Sequence, residues 1–139
     1  MTAGYSRRSL AEKLGIKAGT RVVALGAPST YAALLGPLPE GAGLQSRLPA
    51  SSDFIHRFVR CRNELADFGR LARALTDGGT LWVSWPKQAS GVETDLTENV
   101  VREVGLQHGL VDVKVCAVDN VWSGLKFVRR TANRGSKSS

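Results

Sequence analysis

The sequence is poor in cysteine. Cys61 and Cys116 are the only two, far apart and without CxxC spacing, so neither a disulfide scaffold nor a cysteine-based zinc site is expected, and both thiols should be reduced and partly buried. Long hydrophobic runs are absent as well: no stretch of about 18 uncharged apolar residues occurs. No apolar segment follows the basic pair Arg7-Arg8, so the reading has neither a membrane-spanning helix nor a secretory leader, and a cytoplasmic protein with no membrane contact is expected. Histidine is equally scarce. His56 and His108 lack a partner at HxxxH or HxH spacing, so each reads as a hydrogen-bonded structural imidazole and no metal is expected. A Gly-x-Ser-x-Gly elbow and a Walker A loop are missing too, which removes serine hydrolases and P-loop nucleotide triphosphatases.

What is present fits one domain: 139 residues, 42% of them hydrophobic, enough for a single core. The net charge of +7 is unevenly spread. Residues 1–21 carry five basic groups and one acid, and residues 129–139 carry Arg129, Arg130, Arg134 and Lys137 with no acid. The stretch between them holds ten basic and eleven acidic groups, so the ends are basic and the body is not. Without an aromatic-interleaved basic stripe or a known reader motif, nucleic acid is an unlikely partner on this reading, although the basic termini could associate with phosphate backbones without sequence specificity. The division expected is an N-terminal arm with a short helix over 1–20, an α/β domain over 21–130, and a disordered basic tail over 131–139.

Along the chain, Ser9-Leu10-Ala11-Glu12 has capping-box form and predicts a helix to Leu14, stopped by Gly15. Arg21 to Gly26 is a nearly unbroken apolar run, as in strands covered on both faces. A turn at Ala27-Pro28-Ser29-Thr30 leads to a helix over Tyr31 to Leu35, and a weak strand is placed around Leu44 to Leu48. Asp53 to Val59 reads as a strand, Cys61 to Leu75 as an amphipathic helix ended by Asp77-Gly78-Gly79, and Thr80 to Trp85 as a strand stopped by Pro86. A capping-box-like Asp95 to Glu98 opens a helix ending at Gly109. Val111 to Val118, read as alternating, and Trp122 to Val128 form a terminal antiparallel hairpin. This order predicts a three-layer α/β domain with a mostly parallel sheet.

Several segments, among them Ala3-Gly4-Tyr5-Ser6, Leu10 to Lys17, Leu34-Leu35-Gly36-Pro37-Leu38-Pro39, Leu81 to Lys87, Thr94 to Glu98, Val111 to Asp119 and Trp122-Ser123-Gly124-Leu125-Lys126, resemble a family of small bacterial proteins described as a domain of unknown function. That resemblance implies no activity. More distantly, Arg21 to Gly26, Leu75-Thr76-Asp77-Gly78-Gly79-Thr80-Leu81 and the terminal hairpin are similar to Rossmann-like methyltransferases, which implies their fold. Such enzymes use a glycine-rich first turn and a carboxylate at the end of the second strand to hold the cofactor. Here the turn, Gly26-Ala27-Pro28-Ser29, has one glycine, and the second strand is placed to end near Arg47 and Leu48 without an acid. No cofactor is therefore expected.

Sites in open parallel sheets lie beyond the carboxyl ends of the strands. That rule gathers Pro28, Ser29 and Thr30, Arg60 and Arg62, Ser84 to Lys87, Asp95, and Asp119 to Ser123. Within this set Pro28, Ser29, Ser84, Trp85, Lys87, Asp119, Trp122 and Ser123 are the candidate ligand-binding residues. Trp85 offers a flat face and Lys87 a point charge for a carboxylate or phosphate, and Asp119 could pair with Lys87 or Lys126. Each has a plainer role to set beside this: Trp85 capping the core, Lys87 solvated, Asp119 holding a turn. Cys61 could be an activated thiol near Arg60 and Arg62, or a buried one on the apolar stripe. The leading expectation is a non-catalytic domain that binds a small anionic ligand or a protein partner through this edge. A methyltransferase-like enzyme is the alternative, and nonspecific nucleic-acid association through the termini is a third.

Overall fold

A computed structural model describes residues 9–130, so the tail expected over 131–139 and the first eight residues of the arm lie outside the described residues. Six strands form one sheet in the order β2-β1-β3-β4-β6-β5. Strands β1 (Arg21–Leu25), β2 (Gly43–Gln45), β3 (Ser52–Phe58) and the long β4 (Leu75–Pro86) run parallel, while β5 (Leu110–Ala117) and β6 (Trp122–Arg129) form an antiparallel hairpin in which β6 pairs with β4. Helices α1 (Leu10–Leu14) and α2 (Tyr31–Leu35) cover one face; α3 (Phe68–Ala74) and α4 (Glu98–Gln107) cover the other. This is the three-layer, mostly parallel α/β arrangement the sequence predicts, and among the described residues no helix is long and apolar enough to cross a membrane.

The two cores follow from strand alternation. Val22 points into the α1/α2 layer and its neighbour Val23 into the α3/α4 layer, both with no exposure, which is why β1 is apolar throughout. Helix α1 is started by the expected capping box, with Ser9 Oγ accepting from Glu12 N and Glu12 Oε1 accepting from Ser9 N, both at 3.2 Å. It ends at Gly15 with φ +87°. Leu10, Ala11 and Leu14 are buried in the α1/α2 core, and the Trp82 indole donates to Leu14 O at 2.9 Å, so this N-terminal segment is stitched to the centre of the sheet.

Four local expectations are corrected. The helix placed over Cys61 to Leu75 is a 3-10 segment over Arg62–Asp67 followed by α3. Its cause is visible: Arg57 Nη2 donates to Glu64 O at 3.1 Å, occupying the carbonyl that would take the Phe68 N–H in an α-helix, and Phe68 N bonds Leu65 O instead. Strand β4 begins at Leu75 rather than Thr80, running through Asp77-Gly78-Gly79 with an irregular register against β3. Helix α4 is capped by Thr97, which accepts from Val100 N, while Asp95 accepts from Arg62 N at 2.9 Å and ties the loop before α4 to the start of the 3-10 segment. Along β5 a register slip between Asp112 and Lys114 turns Cys116, and Val118 just past the strand, inward and leaves Val113 and Val115 exposed, so the expected alternation is broken by a bulge on an edge strand.

Candidate functional site

The carboxyl ends of β1 and β2 enclose a crevice of about 500 Å³ lined by Ala24, Leu25, Gly26, Ala27, Leu44, Gln45 and Ser46. It exists because β2 pairs with β1 for only three residues and then leaves the sheet, while β1 turns away at Gly26. Gly26 has φ +71°, and a Cβ there would sit 2.8 Å from Phe58 O and 2.9 Å from Arg57 Nη1. Only glycine fits both the torsion and the approach. The polar side chains of the lining are Gln45, whose Nε2 donates to Arg47 O at 2.9 Å, and Ser46.

Beside this crevice the end of β3 presents two arginines. Arg57 is half-buried, pairs with Asp67 Oδ2 at 3.3 Å, and donates to Phe58 O and Glu64 O. Arg60 reaches across the sheet end: its Nη2 donates to Gly26 O at 3.1 Å and its guanidinium lies over the Trp122 ring, 5.1 Å from the centroid. The nearby acids are engaged by main chain, Glu64 with Arg60 N at 2.7 Å and Asp95 with Arg62 N.

The sequence-predicted residues divide into groups. Trp85, Lys87 and Ser123 come together, lining a pocket of about 210 Å³ with Gln88, Leu96, Thr97 and Glu98 at the start of α4. Trp85 is nonetheless only 4% exposed and belongs to the core. Ser84 is placed elsewhere: strand alternation turns it into the α1/α2 layer, fully buried, with Oγ 2.7 Å from His56 Nε2. Asp119 Oδ1 accepts from Val121 N and Trp122 N, both at 2.8 Å, holding the hairpin turn rather than pairing with Lys87 or Lys126. Trp122 packs edge-on to Phe58 with its face under Arg60. Pro28 accepts from Tyr31 N to open α2, and Ser29 is exposed on the same turn next to the crevice. Cys61 is half-buried at the start of the 3-10 segment. Gln45 and Ser46 escaped the sequence reading because β2 was placed to end three residues too late. Arg60 stood among the strand-end positions, but nothing in its neighbours along the chain announces the contact with Gly26, 34 residues away.

Behind the site lies a buried polar chain. Tyr31 Oη is 2.7 Å from His56 Nδ1, and His56 Nε2 is 2.7 Å from Ser84 Oγ. Burial pushes the His56 imidazole down to about 3 and raises the Tyr31 phenol well above its ordinary value. His56 is neutral and structural, and among the described residues no group of three His, Cys, Asp or Glu side chains could hold a metal ion.

No protein-family model matches the chain, and no curated protein matches it in sequence. Solved structures do match it in fold. Magnesium protoporphyrin IX methyltransferase from Synechocystis PCC 6803 with bound SAM aligns with TM-score 0.55 and 10% identity, over 87% of this chain and 74% of that one. A type 11 methyltransferase from Sulfolobus solfataricus, described as putative, aligns with TM-score 0.55 and 12% identity, over 88% and 90%. The O-methyltransferase NcsB1 of neocarzinostatin biosynthesis, in complex with S-adenosylmethionine, aligns with TM-score 0.52 and 15% identity, over 80% of this chain and 49% of that one. These likenesses overturn the expectation of a non-catalytic, cofactor-free domain. That expectation rested on the single glycine of the β1 turn and the missing acid, whereas two of these structures of the same fold hold S-adenosylmethionine, and in this chain a crevice is present at the ends of β1 and β2. At such identities the likeness is one of architecture: the chain has the Rossmann-like fold of S-adenosylmethionine-dependent methyltransferases.

Proposed function

We propose that this chain is an S-adenosylmethionine-dependent methyltransferase whose cofactor lies in the crevice between β1 and β2. The observation that carries the reading is the crevice itself, about 500 Å³, at the carboxyl edge of the sheet and floored by a glycine at φ +71°. The lining fits the group. Ala24, Ala27, Leu25 and Leu44 suit an adenine ring, and Gln45 Oε1 with the Ser46 hydroxyl can accept from ribose hydroxyls where a carboxylate is missing. When bound, the cofactor supplies an electrophilic methyl group. The chain's own part is to orient it and to keep the acceptor close. The pocket of Trp85, Lys87 and Ser123 is the proposed acceptor site, with Lys87 favouring a small anionic acceptor. A bacterial, cytoplasmic setting belongs to the same proposal, supported by the segments that resemble a small bacterial family and by two free thiols.

Isothermal titration with S-adenosylmethionine and S-adenosylhomocysteine tests the cofactor. Saturable binding is expected, weakened about threefold to tenfold by Gln45→Ala through loss of hydrogen bonding to the ribose. No binding of either compound would end the methyltransferase reading. Methyl transfer from labelled cofactor into small carboxylates and phosphates tests the acceptor site, with loss in Lys87→Ala as the expected result.

A further inference from the structure

We infer that Arg60 is the residue that selects the cofactor's methionyl end, by gripping its carboxylate from across the sheet; this rests on the proposed methyltransferase reading. In a glycine-rich first turn, backbone N–H groups and open space receive the cofactor. This chain has a single glycine there, and the space over Gly26 is approached by guanidinium groups: a Cβ on Gly26 would lie 2.9 Å from Arg57 Nη1 and 3.8 Å from Arg60 Nη1.

The two arginines are not equivalent. Arg57 has Asp67 as its counter-charge and two carbonyls as acceptors, so its charge is spent within the fold. Arg60 has no carboxylate within ion-pair distance among the described residues; Glu64, its close neighbour, binds its main-chain N–H instead. One nitrogen, Nη2, is fixed by Gly26 O, and the guanidinium plane is supported by Trp122. The remaining Nη1 lies 3.8 Å from where a Cβ on Gly26 would be, next to the crevice that Gly26 helps to line and outside its lining residues. A guanidinium held at one nitrogen and over an aromatic face has lost most of its rotational freedom before any ligand arrives, and its natural partner is a carboxylate. The end of β3 thus supplies from a side chain what the β1 turn no longer supplies from its backbone.

The test compares two probes on the full chain. S-adenosylhomocysteine carries the amino-acid end; 5′-methylthioadenosine has the same adenosine and sulfur without it. In the unaltered protein S-adenosylhomocysteine is expected to bind the tighter. Arg60→Ala should weaken S-adenosylhomocysteine by at least about tenfold and change methylthioadenosine by less than about twofold, erasing the preference. Arg60→Lys, which keeps charge and loses the fork, should fall between. Equal losses for both probes would mean that Arg60 only braces the Gly26 turn, and no loss for either would mean it does not meet the cofactor; both results overturn the inference while leaving the methyltransferase reading intact. Binding of neither probe by the unaltered protein defeats that reading and this inference with it. Unchanged circular dichroism and melting temperature in the variants exclude misfolding as the cause.

Discussion

Burying His56 as a neutral ring sets the acid response of the fold. The imidazole has one N–H and one lone pair, and the Tyr31 and Ser84 hydroxyls supply one acceptor and one donor, so the chain is complete only while the ring is uncharged. With the folded-state value at about 3 against 6.5 in the unfolded chain, the unfolded state binds the proton first. This contribution is therefore fully present above pH 6.5 and is lost as pH falls from there toward 3. At pH 5 the loss should be about 2 kcal/mol relative to pH 8, measurable by urea denaturation at the two pH values. An NMR titration should show the His56 ring neutral down to pH 4; protonation near 6.5 would refute the assignment. His56 itself was legible as a satisfied histidine from the lack of any ligand spacing, but its partners, 25 and 28 residues away, were not. Ser84, expected at the ligand edge, shows why: strand position gives a residue's height in the sheet, while one step of register decides which face it serves.

At the level of elements, α4 meets the sheet through Gly105. A Cβ at this position would lie 2.2 Å from Phe127 Cε1, so the aromatic ring on β6 occupies the volume a side chain would need. Alanine ordinarily improves a helix interior over glycine by about 1 kcal/mol; here overpacking reverses the sign, and Gly105→Ala should destabilise the fold by about 1–3 kcal/mol in denaturation. Arg102 anchors the same helix, bonding Asp112 at 2.9 Å and Asn99 at 2.6 Å and pairing with Glu98, and those carboxylates raise its pKa. Elements with local signals were readable from sequence: the capping box of α1, the apolar run of β1, the Pro86 stop of β4. Those shaped by distant partners were not. The 3-10 segment depends on Arg57 taking the Glu64 carbonyl, and the β5 bulge depends on its place at the sheet edge. The candidate site was legible in location, as the carboxyl edge, and only partly in membership. Trp85, Lys87 and Ser123 do meet, whereas the larger crevice is formed mostly by main chain and small residues that carry no chemical signature.

For the whole molecule, the +7 net charge belongs to the termini, and near Gly26 the cations Arg57, Arg60 and Arg62 are matched by Glu64, Asp67 and Asp95, so attraction for an anionic group rests on the exposed guanidinium of Arg60 alone. Screening of exposed charges then gives a modest salt dependence to cofactor binding, weaker at 0.5 M than at 0.05 M salt, and a salt series on S-adenosylhomocysteine affinity should show it. The sheet order carries a different consequence. Strand β6 comes after β5 in the chain but sits between β4 and β5. As the polypeptide leaves the ribosome, β4 and β5 emerge before the strand that joins them, and the β4 edge from Leu81 to Pro86 has no partner on that side. Domains commonly gain structure from the N-terminus during synthesis, but this sheet can close only by inserting its last strand. Nascent chains released after Val121 should be cut rapidly by protease, and those extending past Arg130 should resist. Until that insertion Trp82 and Trp85 lack their cross-strand neighbours Lys126 and Ser123, so the interval between the emergence of β5 and that of β6 is when the chain is most exposed to aggregation.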